Sequence, residues 1–132
     1  MRDFDTDTIR VIAAFENITG TEVRDCIRAE TIYFLVNPGK IAIAIGREGQ
    51  TIKTAERMLD RSIKIFEWDE NLLQFVKNMI PTANRIEVNG SSITVTLNPK
   101  DRGYIIGKGG SNIKIIREFL ERNSNIKEVR VI

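Results

Sequence analysis

The spacing of apolar residues changes period several times along the 132-residue chain. Asp5, Thr6 and Asp7 supply N-cap chemistry, and behind them Thr8, Val11, Ile12, Phe15 and Ile18 recur at helical spacing. Gly20 suits the C′ position, so a helix is predicted over 6–18. Ile32, Phe34 and Val36 alternate as a half-buried strand does, which predicts strands over 22–28 and 31–36 with a hairpin near Ala29-Glu30. Asn37-Pro38-Gly39 is a turn. Ile41 to Ile45 alternates Ile with Ala and on pattern alone reads as a strand. Gln50 to Asp60 gathers Ile52, Ala55 and Leu59 on one helical face, and Ile63 to Phe66 is a short strand.

The same order then begins again. Asp69 offers an N-cap for a helix carrying Leu72, Leu73, Val76, Met79 and Ile80, which Pro81 stops. Strands over 85–88 and 92–97 flank Asn89-Gly90, a strong hairpin signal, and Ile93, Val95 and Leu97 repeat the earlier alternation. A helix over 111–122 places Asn112, Ile115, Ile116 and Phe119 along one side, and 128–132 is a closing strand. Glu67-Trp68-Asp69 joins the halves with no spacer, which predicts a fixed relative orientation. Trp68 reads equally well as packing at that junction or as closing the first half's own core.

The repetition extends to the residues themselves. Ile45-Gly46-Arg47-Glu48-Gly49-Gln50-Thr51-Ile52 returns as Ile106-Gly107-Lys108-Gly109-Gly110-Ser111-Asn112-Ile113, both Ile-Gly-x-x-Gly-x-x-Ile, 61 residues apart. Asn37-Pro38 recurs as Asn98-Pro99, Lys53 as Lys114 and Leu59 as Leu120 at the same offset. A fixed period over this length points to a duplicated domain, 1–68 and 69–132. Glycines around a cation, leading into a helix, suit a phosphate. Arg47 and Lys108 place positive charge at those points. Lys53 and Lys114, with Arg57 and Arg117 one turn on, can reach neighbouring phosphates, although they read equally as solvated helix faces.

Composition narrows the chemistry. Net charge is only +2, but residues 1–68 hold 10 Lys+Arg against 11 Asp+Glu while 69–132 hold 10 against 7. Phosphate affinity follows local cations, so the second half is expected to bind a nucleic-acid backbone more strongly. Glu48 sets a carboxylate inside the first loop, where the second has Gly109, and this favours the second loop again. Cys26 is the only cysteine and histidine is absent, which excludes an internal disulfide, a Cys/His zinc site and His-based catalytic pairs. There is no Gly-x-x-x-x-Gly-Lys-Ser/Thr loop. Carboxylates such as Asp25 and Glu48 form no spacing that singles out an acid–base pair. A non-enzymatic chain without cofactor is expected. Met1-Arg2-Asp3-Phe4-Asp5 shows no apolar stretch behind a basic head, and Ile41 to Ile45 is far too short to span a bilayer. The expected setting is the cytoplasm, with no membrane partner.

At the two Ile-Gly-x-x-Gly-x-x-Ile motifs the chain resembles the KH domain, an RNA-binding module. The element order is similar to the type II arrangement, and two such units without a spacer resemble the KH pair of NusA and the small archaeal NusA-like transcription factors. The resemblance implies an α+β fold of two tandem type II KH domains, each a three-stranded sheet packed against helices. It implies helices over 39–45 and 101–106, against the strand pattern of the first. It implies contact with single-stranded RNA through Gly46, Arg47, Glu48, Gly49, Lys53, Arg57, Gly107, Lys108, Gly109, Gly110, Lys114 and Arg117. It also implies a base groove built from Ile45, Ile52, Ile65, Ile106, Ile113 and Val131, although isoleucines at these positions read more readily as core. The family implies action on nascent RNA at RNA polymerase in termination or elongation, and a monomer is expected. Ribosome assembly or rRNA processing is one rival, and a protein-interaction adaptor with vestigial loops is another.

Overall fold

The computed structural model describes residues 4–132, so the reading of Met1, Arg2 and Asp3 as part of a signal-free start lies outside the described residues. The chain divides into two compact units, the first ending at Asp69 and the second beginning at Glu70. The architecture is α+β, with one three-stranded sheet and its helices in each unit.

In the first unit the order is α1 (Thr6–Thr19), β1 (Val23–Arg28), β2 (Ile32–Val36), α2 (Ile41–Ile45), α3 (Gln50–Leu59) and β3 (Ile63–Glu67). Asp5 caps α1, its carboxylate accepting from the Thr8 amide at 2.7 Å. Gly20 closes the helix in the left-handed region at φ 67°. β1 and β2 form an antiparallel hairpin, and β3 adds in parallel to β2, giving the order β1-β2-β3. A parallel neighbour needs a crossover, and α2 and α3 provide it. Phe15, Cys26, Phe34, Val36, Ala44, Ala55 and Ile65 are buried together in one core, with the Phe15 and Phe34 rings stacked at 3.8 Å. Trp68 belongs to this unit: its amide donates to the Val36 carbonyl at 2.8 Å and the Arg24 guanidinium lies 3.6 Å from its ring centroid.

The second unit has the same order: α4 (Leu72–Met79), β4 (Arg85–Asn89), β5 (Ser92–Thr96), α5 (Pro99–Ile106), α6 (Ser111–Asn123) and β6 (Glu128–Val131). Its sheet again runs antiparallel then parallel, β4-β5-β6. Ile93, Val95, Val129, Ile116, Phe119 and Leu120 are buried.

Three expectations change in detail. The α4 cap is Asn71, whose side chain accepts from the Gln74 amide at 3.0 Å, and not Asp69. The hairpin loop is Gly90-Ser91, because Asn89 still pairs with Ser92; Gly90 takes the positive φ of 62°. Ile41–Ile45 is helical, as the resemblance implied and against its alternation. That alternation never described burial: Ala44 is the buried residue while Ile43 and Ile45 are 51% and 36% exposed. Alanine's high helix propensity then removes the preference for a strand. Among the described residues no helix is long and apolar enough to cross a membrane.

Candidate nucleic-acid interface

Each glycine motif forms the corner between two helices. α2 ends at Ile45, a single 3₁₀ turn spans Arg47–Gly49, and α3 starts at Gln50. In the second unit α5 ends at Ile106, the turn spans Lys108–Gly110, and α6 starts at Ser111. The backbone angles nearly coincide. Gly46 lies at φ 79°, ψ 172° and Gly107 at 77°, 171°. Glu48 lies at 54°, 26° and Gly109 at 63°, 21°. One conformation is therefore encoded twice by different residues.

The two glycines of each motif do different work. A Cβ on Gly46 would stand 2.1 Å from the Thr51 hydroxyl oxygen, and one on Gly107 would stand 2.8 Å from the Asn112 amide nitrogen. These first glycines let the corner close on its own next helix. Around Gly49 the nearest atoms to a Cβ are at 3.9 Å, and around Gly110 at 4.0 Å. The second glycines are needed for positive φ, at 73° and 77°, and leave open space where another backbone can approach.

The supply of amides is smaller than the motif suggests. Gly49 donates to the Gly46 carbonyl and Gly110 to the Gly107 carbonyl, both at 3.1 Å. The Gln50 and Ser111 amides turn back to Arg47 and Lys108. An anion at the corner therefore relies more on the side-chain cations and the positive end of α3 or α6 than on the number of amides. Arg47 and Lys108 are exposed at these corners, as are Glu48 and Gly109. Lys53 and Lys114 are exposed on the first turns of α3 and α6, and the Lys53 stem lies beside Gly49.

Arg57 and Arg117 are not counterparts. The 61-residue offset that aligns the motifs pairs Arg117 with Glu56 and Arg57 with Glu118. Arg57 is exposed on α3. Arg117 donates to the Val129 carbonyl on β6 at 3.2 Å, and Glu118 pairs with Arg122 at 2.6 Å. The isoleucines also separate. Ile65 and Ile113 are 8% exposed and present little side chain to any ligand, because both face the helix–sheet core of their unit. Ile45 is exposed, and Ile52, Ile106 and Val131 are half-buried. Tyr104 was passed over in the sequence. It sits on α5, 74% exposed, where the first unit has Ile43. An aromatic three residues before the Gly107 corner was the available signal.

Against known proteins, the family model of the KH domain matches residues 69–131. The chain is 32% identical to "Probable transcription termination protein NusA" of Methanococcus vannielii, over 96% of this chain and 78% of that protein. It is 30% identical to the protein of the same name from Thermoplasma acidophilum, over 96% of this chain and 93% of the relative. The crystal structure of APE1850 superposes with a TM-score of 0.77 at 28% identity, covering 98% of this chain and all of that one.

Proposed function

This chain belongs to the family of archaeal NusA-like proteins, and from that premise we propose that it binds single-stranded RNA through two type II KH domains, one in each unit. The supporting observation is the corner itself: helix, Gly-x-x-Gly, helix, with matching backbone angles and an exposed cation after the first glycine in both copies. A phosphate sits against the open side of Gly49 or Gly110, beside Arg47 or Lys108. It is held by full charge and by the positive end of the following helix. The first base then meets the half-buried isoleucines that flank each corner. Such grooves take about four nucleotides of single strand.

The second unit is the stronger contact. With the boundary at Asp69, the first unit holds ten cations against twelve carboxylates and the second ten against six. Glu48 stands in the first corner at the place of Gly109. Covalent joining makes the second contact intramolecular once the first has formed, so a strand long enough to reach both corners binds more tightly than a short one. In the cell the strand is nascent transcript at RNA polymerase, and the outcome is altered termination or elongation; the relatives' names speak of transcription termination.

Titration of the chain with short single-stranded RNA tests this reading. Saturable, salt-sensitive binding at micromolar protein, with no matching affinity for duplex, is the expected result. Absence of such binding overturns it. Co-purification with preribosomes in place of RNA polymerase overturns the transcription assignment while leaving RNA binding intact.

A further inference from the structure

We propose that the outer edge of β4 pairs with the same strand of a second copy of this chain, as a two-fold antiparallel ribbon centred on Ile86. β4 is an edge strand of the second sheet, on the far side from β6, and carries none of the corner residues. Its five residues pair with β5 in one unbroken register. The proposal stands apart from the RNA-binding reading and is tested without RNA.

Unequal copying of the repeat exposes this edge. Arg28 lies opposite Ile32 and Val88 opposite Ile93, so Val88 stands where the first unit has Arg28. Arg28 meets the start of α1: its guanidinium donates to the Thr8 hydroxyl at 2.9 Å and lies 3.5 Å from Asp5. The 61-residue offset would start α4 at residue 67, but α4 starts at Leu72, so the first turn of α1 is not repeated in the second unit. Val88 is left 43% exposed. Ile86 is half-buried, while Cys26, in the same place in the first unit, is buried. Asn89 and Ser92 close a two-residue hairpin and exchange hydrogen bonds, and the alternation gives the Glu87 and Arg85 backbone groups to β5 as well. Those of Ile86 and Val88 point away from the sheet, as donors and acceptors for another strand.

The charges choose the occupant and the register. Arg85 and Glu87 share the polar face of β4, both exposed, 2.8 Å apart. In an antiparallel pair of β4 strands centred on Ile86, Arg85 lies opposite Glu87 of the second copy and Glu87 opposite its Arg85. That register makes two cross-strand ion pairs on one face and an Ile86–Ile86 contact on the other. A pair centred on Glu87 sets two carboxylates directly opposite, which is unfavourable. β4 is thus complementary to itself, as a two-fold interface requires. One short strand buries much less than the roughly 1,200 Å² of a stable interface, so the dimer is weak. The monomer expected from the sequence is its dilute form.

Sedimentation velocity of the nucleic-acid-free chain, from about 10 µM to about 1 mM, reads the equilibrium. A shift from monomer to dimer with concentration is the expected result. Arg85→Glu and Glu87→Arg each set like charges opposite one another and are expected to weaken the dimer about tenfold, while the double exchange restores it. Both side chains are exposed, so the variants keep the fold, which circular dichroism checks. Amide exchange locates the edge: at high concentration the Ile86 and Val88 amides slow, and that of Glu87, bonded to β5 throughout, does not. A chain that stays monomeric over the whole range overturns the proposal. So does a dimer that the single substitutions leave unchanged, that the double exchange fails to restore, or that forms without slowing of the Ile86 and Val88 amides.

Discussion

Glu56 and Arg117 hold the same position in the two units and clip the same position of the neighbouring strand with opposite polarity. The Glu56 carboxylate accepts from the Ile63 amide at 2.9 Å, and the Arg117 guanidinium donates to the Val129 carbonyl at 3.2 Å. Ile63 pairs with Ile32 and Val129 with Ile93, themselves 61 residues apart, so the two strand positions correspond. Duplication preserved the clip and inverted its charge. Both bonds are partly buried; removing Glu56 strands an N–H, while an under-satisfied carbonyl oxygen is the better tolerated of the two. Glu56→Ala is expected to cost about 1–2 kcal/mol and Arg117→Ala about 0.5–1 kcal/mol in urea unfolding at neutral pH. The reverse order would contradict the clip.

The first glycine of each motif is a structural requirement. Gly107→Ala sets a Cβ 2.8 Å from the Asn112 backbone at a φ of 77°. The combined strain and clash are expected to cost about 2–4 kcal/mol. Gly109→Ala, with nothing within 4 Å, is expected to cost only about 1 kcal/mol at its φ of 63°. Thermal or denaturant unfolding of the two variants reads the difference directly.

Glu48 is a non-glycine residue in the left-handed region, at φ 54°. Glu48→Gly is expected to stabilise the first unit by up to about 1 kcal/mol through relief of that strain. It also removes a carboxylate from beside the proposed phosphate. RNA affinity should therefore rise together with stability, a coupling that calorimetry and binding titration check on the same sample.

Charge reversal at the corners ranks them. Lys108→Asp with Gly109→Asp should abolish most RNA affinity at moderate salt without unfolding the chain, since position 109 is open and aspartate tolerates positive φ. Arg47→Asp should weaken binding less. Equal losses would overturn the ranking of the units, and unchanged affinity in both would remove the phosphate corner from the mechanism. Circular dichroism confirms the fold in each case.

Asp5 gives a pH signature. The Thr8 amide, then the Thr8 side chain and the more distant Arg28, hold its carboxyl below the usual value of 3.8. A group with a depressed folded pKa contributes stability that is complete above the unfolded value. That contribution is lost as pH falls through the folded one. Melting temperature should therefore decline below about pH 4 partly through this cap, and Asp5→Ala should flatten that part of the profile while lowering the plateau at pH 7.

Most of the element order was legible because burial and periodicity agree there. Phe15, Phe34, Val36, Ile93 and Val95 are core residues at core spacing. The reading slipped where local patterns were decoupled from burial. The Ile-Ala alternation of α2 is one case. Asp69 is another: it precedes a helix without being its cap, because Asn71 lies nearer the first turn. Arg57 and Arg117 looked equivalent by type, and only the repeat register separates them. The division of labour between paired glycines was hidden for a different reason. It depends on Thr51 and Asn112 folding back over the corner, a three-dimensional contact with no trace in spacing.

The repeated Asn-Pro pair leads to unequal helices. In the first copy Pro38-Gly39 completes a turn, with Gly39 at φ 78° and Lys40 donating to Asn37 at 3.2 Å, and α2 retains five residues. In the second copy Lys100 follows the proline, Pro99 becomes the first helical residue, and α5 runs for eight. A segment barely longer than one turn has few internal bonds to lose, so it breathes at lower free energy than its longer twin. Amide protons entering the first corner should exchange with solvent sooner than those entering the second. One glycine thus gives two copies of the same corner a compliant approach and a stiff one.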